Sequence, residues 1–271
     1  MQIILENISY SYPKAEKEAI KNINLKIIEG EYNFVIGQNG SGKTTLLEML
    51  AGLLKADSGN YILDDIKKEK IGIVFQNPEV QFFQENVYNE LAFALRCRKE
   101  EESIIKEKIK DLITTFNMDF DKVKDLSPYE LSGGEKRKIA IITFLLLEPN
   151  FFILDEPTVA LDPVSRTELL EILKKLQLEA GMTIIQSTHM MEEAAKYSDH
   201  IIVLNNGEII MQDNAEKIFS REEELKNVNL RVPEISKLAN LLKFKGINIK
   251  STTSVEELKN NIMELVKTKN E

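Results

Sequence analysis

The segment that decides the fold is the glycine-rich run Gly37-Gln-Asn-Gly-Ser-Gly-Lys-Thr44. It matches the pattern G-x-x-x-x-G-K-[ST] and stands between an apolar strand pattern, Tyr32–Ile36, and a helical pattern, Thr44–Leu53. Glycines let backbone N–H groups surround phosphate oxygens where a Cβ atom would clash, and the N-terminus of the following helix adds partial positive charge. The context on both sides favours a phosphate-binding loop over a glycine-rich turn without a ligand.

Two pairs of polar residues, Lys43 with Thr44 at the end of this loop and Asp155 with Glu156 further along the chain, have predicted chemical roles. Lys43 reaches the β- and γ-phosphates of a nucleotide, and the Thr44 hydroxyl is placed for Mg²⁺. A second strand pattern, Phe151–Leu154, runs directly into Asp155 and Glu156, and open α/β sheets bind ligands at the carboxyl ends of their strands. We predict that Asp155 holds Mg²⁺ through water and that Glu156 is the general base that polarises the attacking water.

Outside these motifs, short apolar strands alternate with amphipathic helices, which predicts an α/β fold with a mainly parallel sheet covered on both faces. Gln2–Ser9 and Ile23–Ile28 alternate apolar and polar residues, as half-buried N-terminal antiparallel strands do. Further strands are predicted at Tyr61–Leu63, Ile71–Phe75, Met182–Ser187, Ile201–Leu204 and Glu208–Met211. Further helices are predicted at Pro163–Ala180, Met190–Ser198, Glu234–Phe244 and Val255–Lys267.

The chain is expected to consist of a large domain and a small appendage. A mainly helical block, at about residues 77–148, interrupts the α/β pattern and is interpreted as a helical subdomain insertion. The composition shifts at the charged stretch Arg221–Asn227, after which Pro233 opens a helical pattern that Gly246 ends. We predict a nucleotide-binding domain over residues 1–220 and a small C-terminal helical extension over residues 221–271, which could serve as a dimerisation unit.

Composition disfavours several other classes of protein. The 271 residues carry a formal net charge of −9, which argues against a protein that coats nucleic acid, because phosphate binding needs clustered lysines and arginines. One cysteine, Cys97, and two histidines leave no internal disulfide and no multi-histidine metal site, and Cys97 is interpreted as a small hydrophobic residue in a helix. No signal-peptide pattern is present, and no apolar run reaches the roughly 18 residues that span a bilayer. We expect a cytoplasmic chain whose membrane role comes through a partner.

Taken together, the motifs resemble those of ATP-binding-cassette (ABC) ATPases over residues 1 to about 220. Gly37–Thr44 resembles the Walker A motif, Phe151–Glu156 resembles Walker B, and Leu131-Ser-Gly-Gly-Glu135 between them resembles the ABC signature. The Q-loop glutamine, the D-loop, the H-loop histidine and the adenine-stacking aromatic are matched by Gln76, Leu161-Asp162, His189 and Tyr12. Each match is weak alone, but together they follow the family's order and approximate spacing.

The resemblance implies a P-loop NTPase core of the ABC ATPase type, with ATP and Mg²⁺ as cofactors. The implied catalytic residues are Glu156, His189 and Gln76, and the implied metal-binding residues are Thr44, Gln76 and Asp155. The implied nucleotide-binding residues are Tyr12, Gly37, Asn39, Gly40, Ser41, Gly42, Lys43, Thr44, Thr45, Ser132, Gly134 and Asp162.

The family arrangement is a head-to-tail dimer that sandwiches ATP between two subunits. Ser132, Gly134 and the N-terminus of a helix predicted at Lys136–Leu147 would face the γ-phosphate held by the partner, and Asp162 would cross the same interface. Glu135 stands where the family usually has glutamine, and its negative charge near a phosphate predicts lower activity. The D-loop also departs from the usual form. The partner is therefore a second ATPase subunit, in a homodimer or a paralogous heterodimer.

The segment after Gln76 carries a narrower resemblance to energy-coupling factor (ECF) transporter ATPases. The resemblance rests on Phe75–Phe83, on Asn86–Phe93 and on the tail that begins at Arg231, although the family usually has a second acid where this chain has Val80. In that family this surface receives a helix of a transmembrane coupling protein, so docking is predicted near Pro78–Val87. The apolar cluster there is either core or a docking groove and consists of Val80, Phe82, Phe83 and Val87.

The implied function is the ATP-hydrolysing subunit of an ECF-type importer for a vitamin or a transition-metal ion, held peripherally at the cytoplasmic face of the membrane. A substrate-binding membrane protein would be an indirect partner, and no nucleic acid is expected. A soluble ABC protein acting on nucleic acid is disfavoured, because the segment between Thr44 and Leu131 is too short for a long coiled coil and one cysteine cannot build a zinc module. A regulator without turnover is disfavoured by Glu156, whereas a conventional importer or exporter cassette stays open.

Overall fold

The computed structural model describes residues 1–67, 70–247 and 249–268. Its strands are β1 (Gln2–Tyr10), β2 (Ile20–Ile28), β3 (Tyr32–Ile36), β4 (Ser58–Asp64), β5 (Ile71–Val74), β6 (Phe151–Leu154), β7 (Thr183–Thr188), β8 (His200–Asn205) and β9 (Glu208–Asp213). A small antiparallel sheet has the order β2–β1–β4, and a six-stranded sheet has the order β5–β6–β7–β3–β8–β9. The larger sheet is parallel except for β9, which pairs antiparallel with β8. The predicted mainly parallel sheet and the N-terminal antiparallel strands are confirmed.

The helices are α1 (Lys43–Leu50), α2 (Val87–Cys97), α3 (Glu102–Thr115), α4 (Phe120–Val123), α5 (Gly133–Leu145), α6 (Pro163–Ala180), α7 (Met191–Tyr197), α8 (Ala215–Ser220), α9 (Glu222–Asn227), α10 (Glu234–Phe244) and α11 (Val255–Thr268). Short 3₁₀ turns lie at Pro78–Gln81 and Pro128–Glu130. Between β5 and β6, all the described secondary-structure elements are α-helices or 3₁₀ turns, as the sequence predicts for the inserted block.

The six-stranded sheet is buried on both faces because successive residues of its central strands enter different cores. On one face, Val35 of β3 packs in a cluster with Leu46 and Leu50 of α1 and with the small antiparallel sheet. On the other face, Phe34 and Ile36 pack in a larger cluster formed mainly by the inserted helices and by α6, α7 and α8. The sheet that carries the loops at the carboxyl ends of its strands is therefore packed from both sides.

Local sequence sets where the helices beside these loops begin and end. Asp162 accepts hydrogen bonds from the backbone N–H groups of Val164 and Ser165, and Pro163 occupies the first turn of α6. An acidic N-cap followed by proline is a strong helix start. At the other end of α6, Gly181 has a φ of 64°, which favours glycine and stops the helix.

The structure corrects several predicted boundaries. α1 ends at Leu50, ahead of Gly52 with its φ of 69°, whereas the prediction extended the helix to Leu53. α5 begins at Gly133 and ends at Leu145 rather than spanning residues 136–147, because Ser132 and Glu135 form a capping box. The signature is therefore the first turn of α5 and not a loop before it.

The structure corrects one further interpretation, that of Cys97 in α2, and adds detail at the charged stretch Arg221–Asn227. The charged stretch Arg221–Asn227 contains α9, and α8 precedes it, so the shift in composition coincides with a helix. Cys97 closes α2 as predicted, but it is exposed to solvent and not packed as a hydrophobic residue.

The C-terminal helices α10 and α11 share a small apolar cluster of their own, formed around Ala239, Ile249 and Leu258. The Asn240 amide donates a 3.0 Å hydrogen bond to the Phe219 carbonyl, which ties α10 to α8. This small core agrees with a C-terminal unit, and the boundary at residue 221 stays a prediction.

Candidate active site

The glycine-rich loop between β3 and α1 is closed so tightly that glycine is required at two of its positions. Gly42 has a φ of 104°, and a Cβ atom there would lie 2.7 Å from the Ala19 carbonyl oxygen. A Cβ atom at Gly37 would lie 2.4 Å from the Leu204 carbonyl oxygen. Lys43 folds back over the loop and donates to the carbonyls of Gly37 and Gln38 at 3.0 and 3.1 Å. The lysine ammonium is thus held inside the loop, where phosphate oxygens would enter.

The carboxyl end of β6 meets this loop through a chain of short hydrogen bonds. The Thr44 hydroxyl donates to Asp155 Oδ2 at 2.7 Å, and the Ser187 hydroxyl donates to Asp155 Oδ1 at 2.5 Å. Asp155 is buried, so both oxygens of its carboxylate are fixed by neighbours from α1 and β7. The structure brings together two of the three residues that the sequence analysis assigns to a metal ion, Thr44 and Asp155.

Glu156 lies next to Asp155 with its side chain aimed at the glycine-rich loop. Gln76 Nε2 donates to Glu156 Oε2 at 3.2 Å, and His189 Nδ1 lies 3.5 Å from the same oxygen. Lys43 Nζ lies 3.8 Å from Glu156 Oε1. The three groups around this carboxylate come from distant parts of the sequence and are all predicted site residues.

The backbone of Glu156 is held in an unusual conformation. Its φ is 47°, in the left-handed region that a non-glycine residue adopts rarely, and its N–H donates to the Ser187 hydroxyl at 2.8 Å. Such strain costs on the order of 1 kcal/mol and is found preferentially at functional sites, where surrounding contacts hold it. Ser187 therefore orients both acids of the pair, Asp155 through its carboxylate and Glu156 through its backbone.

Tyr12 stands at the rim of the cleft, with 41% of its surface exposed. Its hydroxyl lies 3.1 Å from Thr45 Oγ1 and donates to Glu48 Oε2 at 3.2 Å, so α1 holds the ring in place. Tyr10 contacts the ring edge-on, with the centroids 5.1 Å apart. Burial of the hydroxyl raises its pKa. A fixed aromatic face beside the phosphate loop suits an adenine base.

These groups share one cleft of about 1850 Å³. Of the predicted residues, it is lined by Tyr12, Gly37, Asn39, Gly40, Gly42, Lys43, Thr44, Thr45, Gln76, Asp155, Glu156 and His189. Ser41 is buried under the loop, where its hydroxyl has no hydrogen-bond partner among the described residues. Ser132, Gly134 and Asp162 are not among the lining residues, so one subunit does not assemble all the predicted positions in its own cleft.

The signature segment forms a helix N-terminus that is capped by its own side chains. The Ser132 hydroxyl accepts from the Glu135 N–H at 3.3 Å, and Glu135 Oε2 in turn accepts from the Ser132 N–H and hydroxyl at 2.9 and 2.7 Å. The hydrogen bonds from Ser132 lower the pKa of the Glu135 carboxyl. Glu135 is therefore ionised at neutral pH, and its charge is directed at Ser132 itself.

Sequence reasoning missed three side chains that shape the site. Ser187 was assigned only to a strand, although it anchors both acids. The buried Arg137 of α5 donates to the Gln76 carbonyl, which joins the signature helix to the Q-loop. Glu193 binds the threonines before His189 and after Glu156. Each of the three lies beside a recognised motif in sequence or in space, but a single serine, arginine or glutamate has no sequence pattern of its own.

The apolar cluster after the Q-loop divides into two parts. Phe82 and Val87 are buried and belong to the large core, so they are not available to a partner. Val80 and Phe83 are 76% and 61% exposed, and Phe83 stacks edge-on against the half-exposed Phe93 at 4.9 Å. Phe82 and Val87 therefore belong to the core, whereas a docking role for Val80 and Phe83 stays a prediction.

Comparison with known sequences defines the class of protein. The sequence pattern of the family described as "ABC transporter" matches residues 20–159, which is more than half of the chain. An ATP-binding cassette, MJ0796, solved as a dimer in a post-hydrolysis state bound to ADP and Pi, is 27% identical. It superposes with a TM-score of 0.71 and covers 79% of this chain and 98% of its own. The fold is thus that of an ABC ATPase.

Closer relatives narrow the assignment. The energy-coupling factor transporter ATP-binding protein EcfA2 of Clostridium perfringens is 37% identical over the whole of both chains. The structure of cbiO1 from Clostridium perfringens, described as part of the ABC transporter complex cbiONQ, is 34% identical. Its TM-score is 0.74, with 87% of this chain and 97% of that chain covered. This chain belongs to the energy-coupling factor transporter ATP-binding proteins of the ABC transporter family.

Members of this family bind ATP, and their ATP hydrolysis is coupled to transport, so the chain is a transport ATPase. The conventional importer or exporter cassette, the soluble nucleic-acid ATPase and the regulator without turnover are set aside by this membership. Within the described residues, no helix is long and apolar enough to cross a membrane.

Proposed function

We propose that the cleft hydrolyses ATP with Glu156 as general base. The observation that carries this proposal is the position of the Glu156 carboxylate, which Lys43, Gln76 and His189 contact at 3.2–3.8 Å above the phosphate loop. A general base must lie within hydrogen-bond reach of the proton it removes, and groups that bind the γ-phosphate would place the attacking water there. Lys43 and the loop N–H groups hold the phosphates, His189 orients the water, and Tyr12 stacks on the adenine.

The donor set suits Mg²⁺. The Thr44 hydroxyl and the Asp155 carboxylate are 2.7 Å apart, and Gln76 contributes an amide oxygen at the same cleft. No group of three or more acidic, histidine or cysteine side chains that could hold a metal ion occurs in the described part of the chain. Mg²⁺ in ATPases is typically bound by one or two protein oxygens together with substrate phosphates, which fits this sparse set. When bound, the ion would neutralise phosphate charge, while Thr44, Gln76 and Asp155 would hold it.

The functional unit in this proposal is a head-to-tail dimer. The N-terminus of α5, with Ser132 and Gly134, offers backbone N–H groups to an anion but lies outside the cleft of its own subunit. A second subunit would therefore receive this anion site, and Asp162 at the start of α6 would lie at the same contact. The partner is either an identical chain or a paralogue.

Ser132→Arg should leave nucleotide binding by the isolated subunit unchanged and lower ATPase activity by at least about tenfold, because the arginine fills the anion site offered to the partner and a helix cap is lost. Mixing this variant with Lys43→Ala chains gives heterodimers in which one site carries both lesions and the other carries none. Turnover should recover in the mixture if one intact site suffices. ATPase activity across mixing ratios is the measurement.

Ser127→Arg is the matched control, because Ser127 forms the same kind of capping box with Glu130 at the neighbouring 3₁₀ turn. It should lose a similar cap and gain the same charge while keeping its activity. Melting temperatures of both variants would report the cost of the lost caps. Inactivity of every mixture, together with equal inactivity of the Ser127 variant, would argue against shared sites.

The membrane partner is proposed to dock on the exposed residues after the Q-loop, near Pro78–Val87. Val80 and Phe83 present apolar surface to solvent, and Gln81 is exposed beside them. Glu90 accepts from the backbone N–H groups of Phe83 and Gln84 at 3.0 and 2.8 Å, which fixes the shape of this surface. Because Gln76 contacts Glu156 at the other end of the segment, one stretch of chain links ATP occupancy to the docking surface.

Replacing Gln81 and Phe83 together with alanine should abolish transport and binding to the transmembrane coupling protein, while ATP hydrolysis by the isolated ATPase persists. The residues are exposed, so the variant should melt within a few degrees of the wild type. Co-purification with the coupling protein and uptake into reconstituted vesicles are the measurements. Leu53→Ala, at another exposed apolar side chain, is the control. A folded double variant that still supports uptake would overturn this docking site.

The transported cargo is proposed to be a micronutrient, a vitamin or a transition-metal ion, taken up through membrane partners that include a substrate-binding protein. This proposal is supported by the similarity to energy-coupling factor transporter ATP-binding proteins and to cbiO1, a part of the ABC transporter complex cbiONQ. The chain would work at the cytoplasmic face of the membrane without touching the cargo. Residues 221–271 would form the separate C-terminal unit, and α10 and α11 expose apolar side chains that suit contact with a second subunit, among them Leu241, Phe244 and Val255.

A further inference from the structure

A buried carboxylate outside the proposed chemistry connects two loops of the active site. Glu193 lies on α7, shortly after His189, and only 4% of its surface is exposed. It does not line the nucleotide cleft, so it has no direct contact with ATP in the proposed mechanism. Its position between the H-loop and the segment that follows Glu156 indicates a different use.

One oxygen of Glu193 binds both loops at once. Oε2 accepts from the Thr158 hydroxyl at 3.1 Å and from the Thr188 hydroxyl at 2.8 Å. Thr188 immediately precedes His189, and its hydroxyl also accepts from the Met190 N–H at 3.0 Å, which shapes the turn that carries the histidine. Thr158 lies on the loop that leads from Glu156 to Asp162. Gln186 approaches the same oxygen at 3.5 Å from β7.

The other oxygen faces a cation that reaches the D-loop. Glu193 Oε1 lies 3.7 Å from Arg166 Nε, and neither of these two atoms has a hydrogen-bond partner among the described residues. Arg166 also donates to the Leu161 carbonyl at 3.2 Å. The guanidinium therefore adds a second connection between Glu193 and the loop that ends at Asp162.

The charge of Glu193 is not explained by stability alone. Burial raises the pKa of its carboxyl, and the oxygen facing Arg166 is left without a hydrogen bond. A buried carboxylate with incomplete pairing is costly, and apolar residues of similar volume often serve a core as well or better. A residue that binds two active-site loops at such a cost is a candidate for a functional role.

We propose that Glu193 is a positioning residue that clamps the His189 loop to the loop running from Glu156 to Asp162. This inference rests on the proposed roles of Glu156 and His189. The clamp sets the 3.5 Å separation between His189 Nδ1 and Glu156 Oε2, and misplacement of a catalytic group by about 1 Å can cost roughly 100-fold in rate. Through Thr158 and Arg166, the same carboxylate ties the orientation of His189 to the segment proposed to contact the partner subunit.

Glu193→Gln should lower kcat for ATP hydrolysis between about tenfold and 100-fold and leave the KM for ATP within about twofold. The amide has the shape of the carboxylate but lacks its charge, and its NH2 group must face either Arg166 or the two threonine hydroxyls. One side of the clamp therefore loses its acceptor. Lys43 and the phosphate loop are untouched, so nucleotide affinity should persist. Steady-state ATPase kinetics and binding of a fluorescent ATP analogue to the purified full-length chain are the measurements.

Glu171→Gln is the matched control. Glu171 also joins α6 to α7, by accepting from Lys196 and Tyr197 at 2.9 and 2.8 Å, but it does so at the surface and touches neither loop. Its variant should retain wild-type kcat. An equal loss of kcat in both variants would mean that Glu193 acts only by holding the two helices together, and the clamp would be rejected.

Thr158→Val and Thr188→Val keep the side-chain shape, remove one hydroxyl each, and allow a test even if the Glu193 variant does not fold. Groups that act through one carboxylate should not have independent effects, so the rate loss in the double threonine variant should fall well short of the product of the single losses. In the Thr158→Val/Glu193→Gln variant the rate loss should likewise be smaller than the product of the two single losses. Multiplicative losses that follow the melting temperatures would overturn the clamp.

The outcome separates this inference from the proposed function on which it rests. If Glu156→Gln abolishes hydrolysis while Glu193→Gln keeps wild-type kcat, the clamp is wrong and the proposed site stands. If Glu156→Gln also keeps wild-type activity, the assignment of the general base fails first.

Discussion

The Glu156→Gln variant should bind ATP with nearly wild-type affinity and hydrolyse it roughly 10²–10⁴-fold more slowly, because a positioned general base typically contributes that much. Glutamine has the same shape and can still contact Gln76 and His189, and the strained backbone is held by Ser187 through the N–H, which the substitution does not change. The loss should therefore fall on the chemical step. Single-turnover experiments would measure the rate of the chemical step, and equilibrium titration would measure ATP affinity separately.

The same variant should accumulate the ATP-bound dimer, since the sandwich would no longer be opened by hydrolysis. Size-exclusion chromatography in Mg-ATP and in ADP is the measurement. Glu208→Gln, at an exposed glutamate paired with Lys21, is the control and should turn over ATP like the wild type. Monomer alone in Mg-ATP would contradict the head-to-tail dimer, and undiminished hydrolysis would contradict the role of Glu156.

The central strands and the phosphate loop could be predicted because their determinants are local. Tyr32–Ile36 and Phe151–Leu154 are continuous apolar runs, and both strands occur with these bounds. The helix that follows Asp162 was also predicted with its exact ends, since aspartate, proline and the closing glycine mark them in the sequence. At the end of α1, by contrast, the prediction extends three residues beyond Leu50, although Gly52 marks the end of that helix as well.

The side chains that connect the motifs could not be predicted, because their partners are distant in sequence. Ser187 binds Asp155 and the Glu156 backbone only once β6 and β7 lie side by side. Arg137 reaches Gln76 only because α5 packs on the 3₁₀ turn after the Q-loop. A sequence shows that the acid pair and the glutamine are present, but tertiary packing decides which groups orient them.

The division of the apolar cluster after the Q-loop has a similar cause. Phe82 and Phe83 are neighbours in sequence, yet Phe82 enters the core while Phe83 faces solvent. The segment forms a 3₁₀ turn and an irregular connection, so neither a helical nor a strand period predicts which side chain points inward. The Phe82 carbonyl accepts from the Tyr129 hydroxyl at 2.8 Å, and this long-range contact helps to fix the orientation.

Lys43→Ala should weaken ATP binding by about 3 kcal/mol or more, which corresponds to roughly 100-fold or more in Kd. The ammonium is 6% exposed and already donates to the carbonyls of Gly37 and Gln38, so its position is fixed before the nucleotide arrives. Charge-assisted hydrogen bonds to phosphate are about twice as strong as neutral ones, and alanine supplies none. The other cations that line the cleft are Lys17, Lys21 and Arg231. They lie outside the glycine-rich loop, so they cannot occupy the place of Lys43.

The Lys43→Ala variant should lose affinity for ATP, whereas the Glu156→Gln variant should keep its affinity and lose only hydrolysis. This difference distinguishes the roles of the two residues. Titration of the folded variant with a fluorescent ATP analogue measures it, with circular dichroism to establish that the sheet is intact. Lys26→Ala, at an exposed lysine of β2 away from the cleft, is the control and should bind like the wild type. Wild-type affinity and turnover in the folded Lys43→Ala chain would mean that the glycine-rich loop does not bind the phosphates, and the whole nucleotide site would have to be reassigned.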